Sequence, residues 1–193
     1  MLDNLKKYDI FLASGSPRRK ELLAGLGIEF EVRCIGDIDE SYPADLPADD
    51  VAEYISQKKA AAYREQITDN QLIITADTVV VCDGQVLGKP ADREDAVAML
   101  RRLSGNVHHV VTGVTIVTAQ RSTSFAVATE VGFARLTDEE IDFYVDNYRP
   151  FDKAGAYGIQ EWIGFIGVES ISGSYFNVMG LPVQRLYQEL KNW

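Results

Sequence analysis

Two long runs of β-branched and apolar residues occupy the middle of the chain. Residues 107–119 read VHHVVTGVTIVTA and residues 123–136 read TSFAVATEVGFARL, with a short polar connection between them. Valine and threonine favour extended backbone because their branched side chains pack well on a pleated surface. Two such runs in succession predict an antiparallel pair of strands, so the fold is expected to be built around a sheet.

Helices and further strands are predicted on both sides of this pair. Capping residues mark three helix starts, at Ser16 before Pro17, at Asp92, and at Thr137 with Glu140 three positions later. The irregular order of helices and strands favours an α/β fold with a mixed sheet and helices packed around it. The other predicted segments are strands over 9–13, 29–35 and 162–173, a hairpin over 71–90, and helices over 51–67 and 180–193.

The composition is that of one folded domain. The 193 residues are 46% hydrophobic and 25% charged, and no repeat, low-complexity tract or linker divides residues 1–193. No apolar stretch approaches the roughly 18 to 20 residues that a membrane span needs, and the opening residues are too polar for a signal peptide. We therefore expect a cytoplasmic protein without a membrane partner.

Charge and the scarcity of histidine and cysteine narrow the chemistry. The formal net charge of -10 repels nucleic acid polymers, so any phosphate binding is expected to be local and the ligand small. Cys34 and Cys82 lie in apolar, strand-like surroundings and are predicted to be core thiols. His108 and His109 are adjacent in a predicted strand, where at most one can face inward. A zinc site or a Ser-His-Asp triad is therefore not expected.

Residues 14–23, SGSPRRKELL, place three cations at the start of a predicted helix. A helix N-terminus is the positive end of the helix dipole, so each cation there costs on the order of a few tenths of a kcal/mol. A strand-to-helix turn of small residues lets backbone N–H groups approach an anion, and Arg18 and Arg19 can add bidentate grip. The stretch predicts a phosphate site, unless both arginines point into solvent or pair with acidic neighbours.

Carboxylates form a second candidate group. Asp77 interrupts the apolar and threonine-containing run 72–81, and a buried carboxylate is costly unless it is paired, hydrogen-bonded or bound to a metal. Alternatively, Asp77 ends a strand with an Asx turn. The acidic residues Asp37, Asp39 and Glu40 could hold Mg²⁺ together with Asp77, or could form only a solvated face.

Lysines and one amide complete the set of candidates. Lys59, Lys89 and Lys153 could neutralise phosphate oxygens or be ordinary surface lysines. Glycines in the segment 155–160 let its backbone approach a ligand closely, and Gln160 could read a base edge with its amide. Metal-assisted attack of water on a phosphoryl group needs only these parts.

Eight motifs, in this order, resemble those of the Maf family of nucleoside triphosphate pyrophosphatases. They are SGSPRRKELL, GDIDE, QKKA, ADTVV, GKP, LSG, DKAGAYGIQ and GSYFNVMGLP, and they span nearly the whole chain. In detail, the motifs resemble those of the subgroup that hydrolyses dTTP and UTP to the monophosphate and pyrophosphate. That subgroup is also proposed to act on modified pyrimidine nucleotides. The sequence departs at Glu161, where the family often has glycine.

The resemblance implies an elongated mixed sheet with flanking helices and a cleft between two lobes, as in the inosine triphosphatases (Maf/Ham1), and commonly a homodimer. It implies that Asp77 is the general base and that a divalent cation, Mg²⁺ or Mn²⁺, is held by Glu40 and Asp77. Whether Asp77 is the base or a metal ligand stays open. By position, the substrate-contacting residues are Ser14, Arg18, Arg19, Lys59, Thr78, Lys89 and Gln160.

The subgroup assignment rests on Arg18, Thr78 and Gln160. The sister subgroup, which prefers 7-methyl-GTP, tends to carry Trp, Gln and Glu at these positions. A pyrophosphatase for inosine or xanthosine triphosphate is a second possible enzyme. A septum-formation inhibitor that acts through protein contacts, with nucleotide binding as a sensor, is a third possibility of a different class.

Overall fold

The fold is a mixed sheet with helices packed around it. In the computed structural model, which describes residues 2–36, 38–64 and 66–193, the strands are β1 (Asp9–Leu12), β2 (Glu31–Val32), β3 (Gln71–Cys82), β4 (Gln85–Leu87), β5 (Val107–Val117), β6 (Ser122–Phe133) and β7 (Val168–Ser172). The helices are α1 (Pro17–Ala24), α2 (Val51–Arg64), α3 (Arg93–Leu103), α4 (Asp138–Tyr148), α5 (Trp162–Gly167), α6 (Tyr175–Val178) and α7 (Val183–Lys191).

The strand order confirms the predicted mixed sheet. The order is β2-β1-β3-β5-β6-β7, and β4 pairs with β3. Strand β1 runs parallel to both β2 and β3, whereas β4 runs antiparallel to β3 and β7 runs antiparallel to β6. The predicted hairpin over 71–90 is thereby confirmed, with its turn at Asp83 and Gly84, both of which have positive φ.

The two β-branched runs form neighbouring strands, β5 and β6. Their connection is a tight turn in which the Thr118 N–H donates to the Arg121 carbonyl oxygen at 2.8 Å. Strand β5 is buried continuously from Val110 to Val117, so both of its faces are covered. Continuous burial explains why this stretch shows no alternation of polar and apolar residues.

Contacts divide the chain into two compact units. The first comprises Met1–Asp77, Thr112–Val127 and Gly180–Trp193. The second comprises Thr78–Val111 and Ala128–Met179, so that β3, β5 and β6 each contribute residues to both units.

In the first unit, helix α2 packs closely on β5. A Cβ atom at Gly113 would lie 2.3 Å from the carbonyl oxygen of Ala52, so only glycine allows this approach. Ser56 in α2 shares a 2.9 Å hydrogen bond with Thr115, and Thr75 Oγ1 donates to the Ser56 carbonyl oxygen at 2.7 Å. These contacts fix the helix one turn before Lys59.

In the second unit, helices α3 and α4 pack against the sheet through a large apolar core. The predicted capping box at Thr137 and Glu140 is present at the start of α4. Arg93 in α3 donates to Asp146 at 2.6 Å and to Asp142 at 2.7 Å, which joins the two helices on their outer side.

The segment 162–173 differs from its prediction as one continuous strand. Residues Trp162–Gly167 form helix α5, and only Val168–Ser172 are extended. Ile163 and Gly167 are the buried positions of α5, which is helical spacing. A Cβ at Gly164 would lie 1.8 Å from the Ile159 carbonyl oxygen, so the start of α5 depends on glycine. The sequence did not indicate this helix, because its continuous run of apolar residues is equally typical of a buried strand.

The cysteine and histidine predictions have mixed outcomes. Cys82 is buried as predicted, but Cys34 is exposed, because it follows the two-residue edge strand β2 instead of lying within a longer buried one. His108 is buried and His109 is exposed, so the prediction that at most one faces inward is confirmed. Within the described residues, none of the helices combines the length and the apolar character needed to cross a bilayer.

Candidate functional site

The first unit carries the predicted anion-binding turn between β1 and α1. Ser16 is the N-cap of α1, with its hydroxyl oxygen accepting from the Arg19 N–H at 3.5 Å, and Pro17 is the first helical residue. Ser14 Oγ accepts from the Ser16 N–H at 3.3 Å. The turn is therefore ordered by its own hydroxyl groups, as a strand-to-helix anion site requires.

The turn lies beside the Asp77 region because β1 and β3 are parallel neighbours. Leu12 is paired with Ile74, and the Ala13 N–H donates to the Ile74 carbonyl oxygen at 2.8 Å. Continuing both strands by two or three residues brings Ser14 and Asp77 to the same end of the sheet.

Arg19 joins the turn to β3 and to the residue before α7. Its Nε donates to the Gly180 carbonyl oxygen at 2.8 Å, and Nη1 donates to the Ala76 carbonyl oxygen at 3.0 Å and to Ser14 Oγ at 3.3 Å. Burial of the guanidinium lowers the pKa of Arg19, against the opposing effect of the Asp77 carboxylate. Arg19, at the unfavourable end of α1, therefore donates to main-chain carbonyl oxygens and to Ser14 and does not point into solvent.

Lys59 lies between two carboxylates. Its Nζ is 2.7 Å from Asp77 Oδ1 and 2.9 Å from Glu40 Oε1. The side chains of Lys59 and Asp77 are each 13% exposed, whereas that of Glu40 is 49% exposed. A buried carboxylate needs such a partner, so the cation explains how Asp77 is tolerated in an otherwise apolar strand.

The pair of carboxylates fits part of a divalent cation site. Mg²⁺ is commonly bound through one or two carboxylates and completed by phosphate oxygens and water, and Glu40 and Asp77 supply oxygen ligands of that kind. Across residues 2–36, 38–64 and 66–193, no group of three or more His, Cys, Asp or Glu side chains is arranged to hold a metal by itself. These two residues therefore fit a cation that a phosphate ligand helps to bind.

The acidic loop is otherwise engaged elsewhere. Asp39 Oδ2 pairs with Lys58 Nζ at 2.8 Å and accepts from Ser41, and these hydrogen bonds hold the pKa of Asp39 well below its usual range. The candidate ligand Asp37 lies outside the described residues. Among the described carboxylates of this loop, Glu40 forms the ion pair with Lys59.

Arg18 lies half-buried in the first turn of α1, in the first unit, whereas Thr78, Lys89 and Gln160 belong to the second unit. Thr78 follows Asp77 directly in β3, Lys89 is exposed after β4, and Gln160 is half-buried. The Gly155 N–H donates to the Gly88 carbonyl oxygen at 3.0 Å, which ties the glycine-containing segment to the residue before Lys89. Gln160 Oε1 is buried, and no donor in the described part of the chain reaches it.

Lys153 forms a cluster that the sequence did not reveal. It is 9% exposed and its Nζ pairs with Asp152 Oδ1 at 2.8 Å and with Glu161 Oε1 at 3.0 Å. The Tyr144 hydroxyl donates to Glu161 Oε2. Lys153, a candidate phosphate ligand by its sequence, is instead engaged by two carboxylates of its own unit.

Comparison with known proteins assigns the chain to a family. The model of the family described as "Maf-like protein" matches residues 9–193. The chain belongs to the Maf family. Maf relatives named dTTP/UTP pyrophosphatase are 59% identical over 100% of both chains in Parabacteroides distasonis and 61% identical over 99% of both chains in Phocaeicola vulgatus.

A solved structure supports the predicted fold of this Maf protein. A HAM1 protein from Coxiella burnetii superposes with a TM-score of 0.50 over 96% of this chain and 100% of its own. At 14% sequence identity this likeness concerns the fold alone. The prediction of an α/β fold of the Maf/Ham1 type is confirmed.

Proposed function

We infer that this Maf protein hydrolyses dTTP and UTP to the nucleoside monophosphate and pyrophosphate. The single structural observation that carries the chemistry is Arg19, which joins the anion-binding turn to Ala76, the residue directly before the Asp77–Lys59–Glu40 ion-pair group. The substrate follows from full-length relatives that are 57% to 61% identical and are named dTTP/UTP pyrophosphatase.

We propose that the triphosphate binds at the turn between β1 and α1. Ser14, Arg18 and the N-terminal backbone of α1 offer donors and a positive helix end to phosphate oxygens. Arg19 holds the turn and adds its charge, while Lys59 and Lys89 neutralise further oxygens. A local positive group is needed because the protein as a whole, at net charge -10, repels polyanions.

Asp77 is proposed to act on the attacking water. The water oxygen bonds to the α-phosphorus, the bond from the α-phosphorus to the bridging oxygen breaks, and pyrophosphate leaves. Asp77 orients the water and accepts its proton, while Lys59, 2.7 Å away, keeps the carboxylate in place. The neighbouring cations stabilise the charge that develops on the phosphoryl oxygens.

A divalent cation, Mg²⁺ or Mn²⁺, is proposed to bind through Glu40, with Asp77 as its second ligand in the alternative mechanism in which Asp77 aligns the water and is not the base. When bound, it would supply Lewis-acid neutralisation of the triphosphate. The oxygen ligands of these two side chains suit either ion.

The base is proposed to be recognised by Gln160, together with Thr78 and Arg18. The buried acceptor Oε1 of Gln160 has no donor among the described residues, and thymine and uracil both carry an N3–H donor. A site built around an unmet acceptor rejects bases that cannot donate to it, because the acceptor would then stay unpaired.

Three further properties complete the proposal. Residues 1–193 act as one catalytic domain, and the enzyme works in the cytoplasm, where nucleoside triphosphates are found. The protein forms a homodimer, which is supported by exposed apolar side chains in the second unit, such as Phe165 at 81% and Phe176 at 49% exposure. Light scattering of the wild-type protein and of Phe165→Asp tests the dimer.

Turnover in ¹⁸O-labelled water tests the reaction. With dTTP and Mg²⁺, the label is expected in the monophosphate, because water attacks the α-phosphorus; label in pyrophosphate would contradict the mechanism. Parallel values of kcat/KM for dTTP, UTP, ITP and 7-methyl-GTP test the substrate. A preference for either purine nucleotide would contradict the proposed function.

A further inference from the structure

Glu161 uses both of its carboxylate oxygens within the second unit. Oε1 lies 3.0 Å from Lys153 Nζ, and Oε2 accepts a hydrogen bond from the Tyr144 hydroxyl. Burial and the adjacent carboxylate raise the pKa of Tyr144, so its hydroxyl remains a donor. The Tyr144 oxygen in turn accepts from the Gly158 N–H at 3.0 Å. Glu161 thereby links the two ends of the segment 153–161 to helix α4.

This segment has a backbone that needs support. Gly155 and Ala156 have φ values of 67° and 57°, and the left-handed region is unfavourable for alanine. A Cβ at Gly158 would lie 2.9 Å from the Glu161 Cδ atom and 3.1 Å from the Lys153 Cε atom, so the two side chains lie directly on the glycine backbone. The Lys153–Glu161 ion pair therefore packs against the backbone of the segment whose two ends it joins.

Gln160 immediately precedes Glu161, so the bonds of Glu161 hold the backbone from which the Gln160 side chain extends. Its Oε1 atom is buried without a hydrogen-bond donor from the described residues, so no bond to that oxygen holds it in place. Contacts of the neighbouring residues hold the backbone that carries this amide. Those contacts are the 2.9 Å bond from the Glu161 N–H to the Gly158 carbonyl oxygen and the two side-chain bonds of Glu161.

We propose that Glu161 is a positioning residue for base selection, which holds Gln160 in register through its bonds to Lys153 and Tyr144. The proposal rests on the proposed function, since it assumes that Gln160 reads the base. It predicts that weakening the bonds of Glu161 impairs recognition of the nucleobase and leaves recognition of the phosphates unchanged.

The test compares Glu161→Gln with Asp152→Asn. Glu161→Gln keeps the side-chain length and an acceptor for Tyr144 but loses the ion pair with Lys153. Asp152→Asn removes the other ion pair of the same lysine and leaves Glu161 intact, so it is the matched control. Tyr144→Phe removes the second bond of Glu161 and gives an independent variant.

Three readouts distinguish positioning from a general structural effect. For Glu161→Gln, the ratio of kcat/KM for dTTP to that for dCTP, whose cytosine has no N3–H to donate to Gln160 Oε1, is expected to fall about tenfold, which corresponds to one weakened hydrogen bond. The inhibition constant of dTMP is expected to rise by a similar factor, while that of pyrophosphate stays within about twofold. Tyr144→Phe is expected to shift the ratios in the same direction, and Asp152→Asn is expected to leave them unchanged.

Each outcome separates the two proposals. If wild-type protein does not hydrolyse dTTP, the proposed function fails and this inference fails with it. If wild type hydrolyses dTTP but both Glu161→Gln and Tyr144→Phe keep the wild-type ratios, Glu161 does not position Gln160, and the proposed function stands. A lower kcat for all nucleotides with unchanged ratios, or an equal loss of dTMP and pyrophosphate binding, also overturns the inference.

Discussion

Lys59 Nζ lies 2.7 Å from Asp77 Oδ1, and both side chains are almost removed from solvent. The lysine comes from helix α2 and the aspartate from strand β3, so their contact depends on how closely the helix approaches the sheet. The packing of Ala52 on Gly113 and the bond between Ser56 and Thr115 set that approach.

Replacement of the proposed base is expected to abolish most activity. Asp77→Asn keeps the shape of the side chain but cannot accept a proton, so kcat for dTTP should fall about a hundredfold or more. Pyrophosphate release at saturating dTTP and Mg²⁺ measures this. Asp39→Asn, an exposed residue of the acidic loop paired with Lys58, serves as the control and should retain activity. Turnover near the wild-type value in Asp77→Asn would remove this residue from the centre of the reaction.

Arg19 is expected to contribute to folding as well as to binding. Arg19→Lys keeps the charge but loses the fork that donates to the Gly180 and Ala76 carbonyl oxygens, so the free energy of unfolding should fall by about 1–3 kcal/mol. Urea denaturation measures the change, with Lys20→Ala on the exposed side of the same helix as control. Equal stability of the two variants would show that these bonds do not hold the turn.

Close packing of α2 predicts that Gly113 cannot be replaced. In Gly113→Ala the new Cβ would lie 2.3 Å from main-chain atoms of Ala52, so the helix has to move away from the sheet. We expect a loss of about 3 kcal/mol or more in the free energy of unfolding, or failure to fold. Gly36→Ala, where the new Cβ would meet no atom within 4 Å from the described residues beyond its chain neighbours, should be close to neutral. A stable Gly113→Ala protein would contradict the described packing.

Buried His108 predicts a loss of stability in acid. Burial lowers the pKa of His108 to about 4, from 6.5 in an unfolded chain, so between these values the unfolded chain binds a proton that the folded chain does not. This contribution is complete above about pH 6.5 and is lost as the pH falls towards 4, by about 3 kcal/mol.

The His108 prediction is checked by urea unfolding at a series of pH values. In His108→Leu the acid-dependent part of the unfolding free energy should be smaller than in wild type by that amount. His109→Gln, which changes the exposed neighbour, should keep the wild-type dependence. Identical pH profiles for wild type and His108→Leu would show that the imidazole does not titrate as described.

The first unit's candidate residues could be picked out from the sequence because most of them lie on regular elements. Ser14 follows β1, Lys59 is on α2 and Asp77 is in β3, and the parallel pairing of β1 with β3 brings the turn to Asp77. The pattern did not reveal that Arg19 bonds main-chain carbonyl oxygens, since any residue supplies such acceptors. The exposure of Cys34 was also missed, because two residues of edge strand resemble a longer buried strand in sequence.

The second unit was less predictable because an ion pair between residues distant in sequence holds its irregular segment 153–161, and that segment turns at residues with positive φ. Lys153 and Glu161 are eight positions apart, and their contact depends on the turn through Gly155 and Ala156. Tyr144 of helix α4 adds a hydrogen bond to Glu161. No periodicity encodes such a contact, and the departure from the family at Glu161 was the one sign of it in the sequence.

The hydrogen bonds of Arg19 also affect which amino-acid substitutions this protein can accept during evolution. Its acceptor at position 76 is a peptide oxygen, which every residue type supplies, although the buried position of Ala76 admits only a small side chain. Selection for this link therefore acts on the arginine and not on a particular side chain at position 76, while the hydroxyl groups of Ser14 and Ser16 share in ordering the turn.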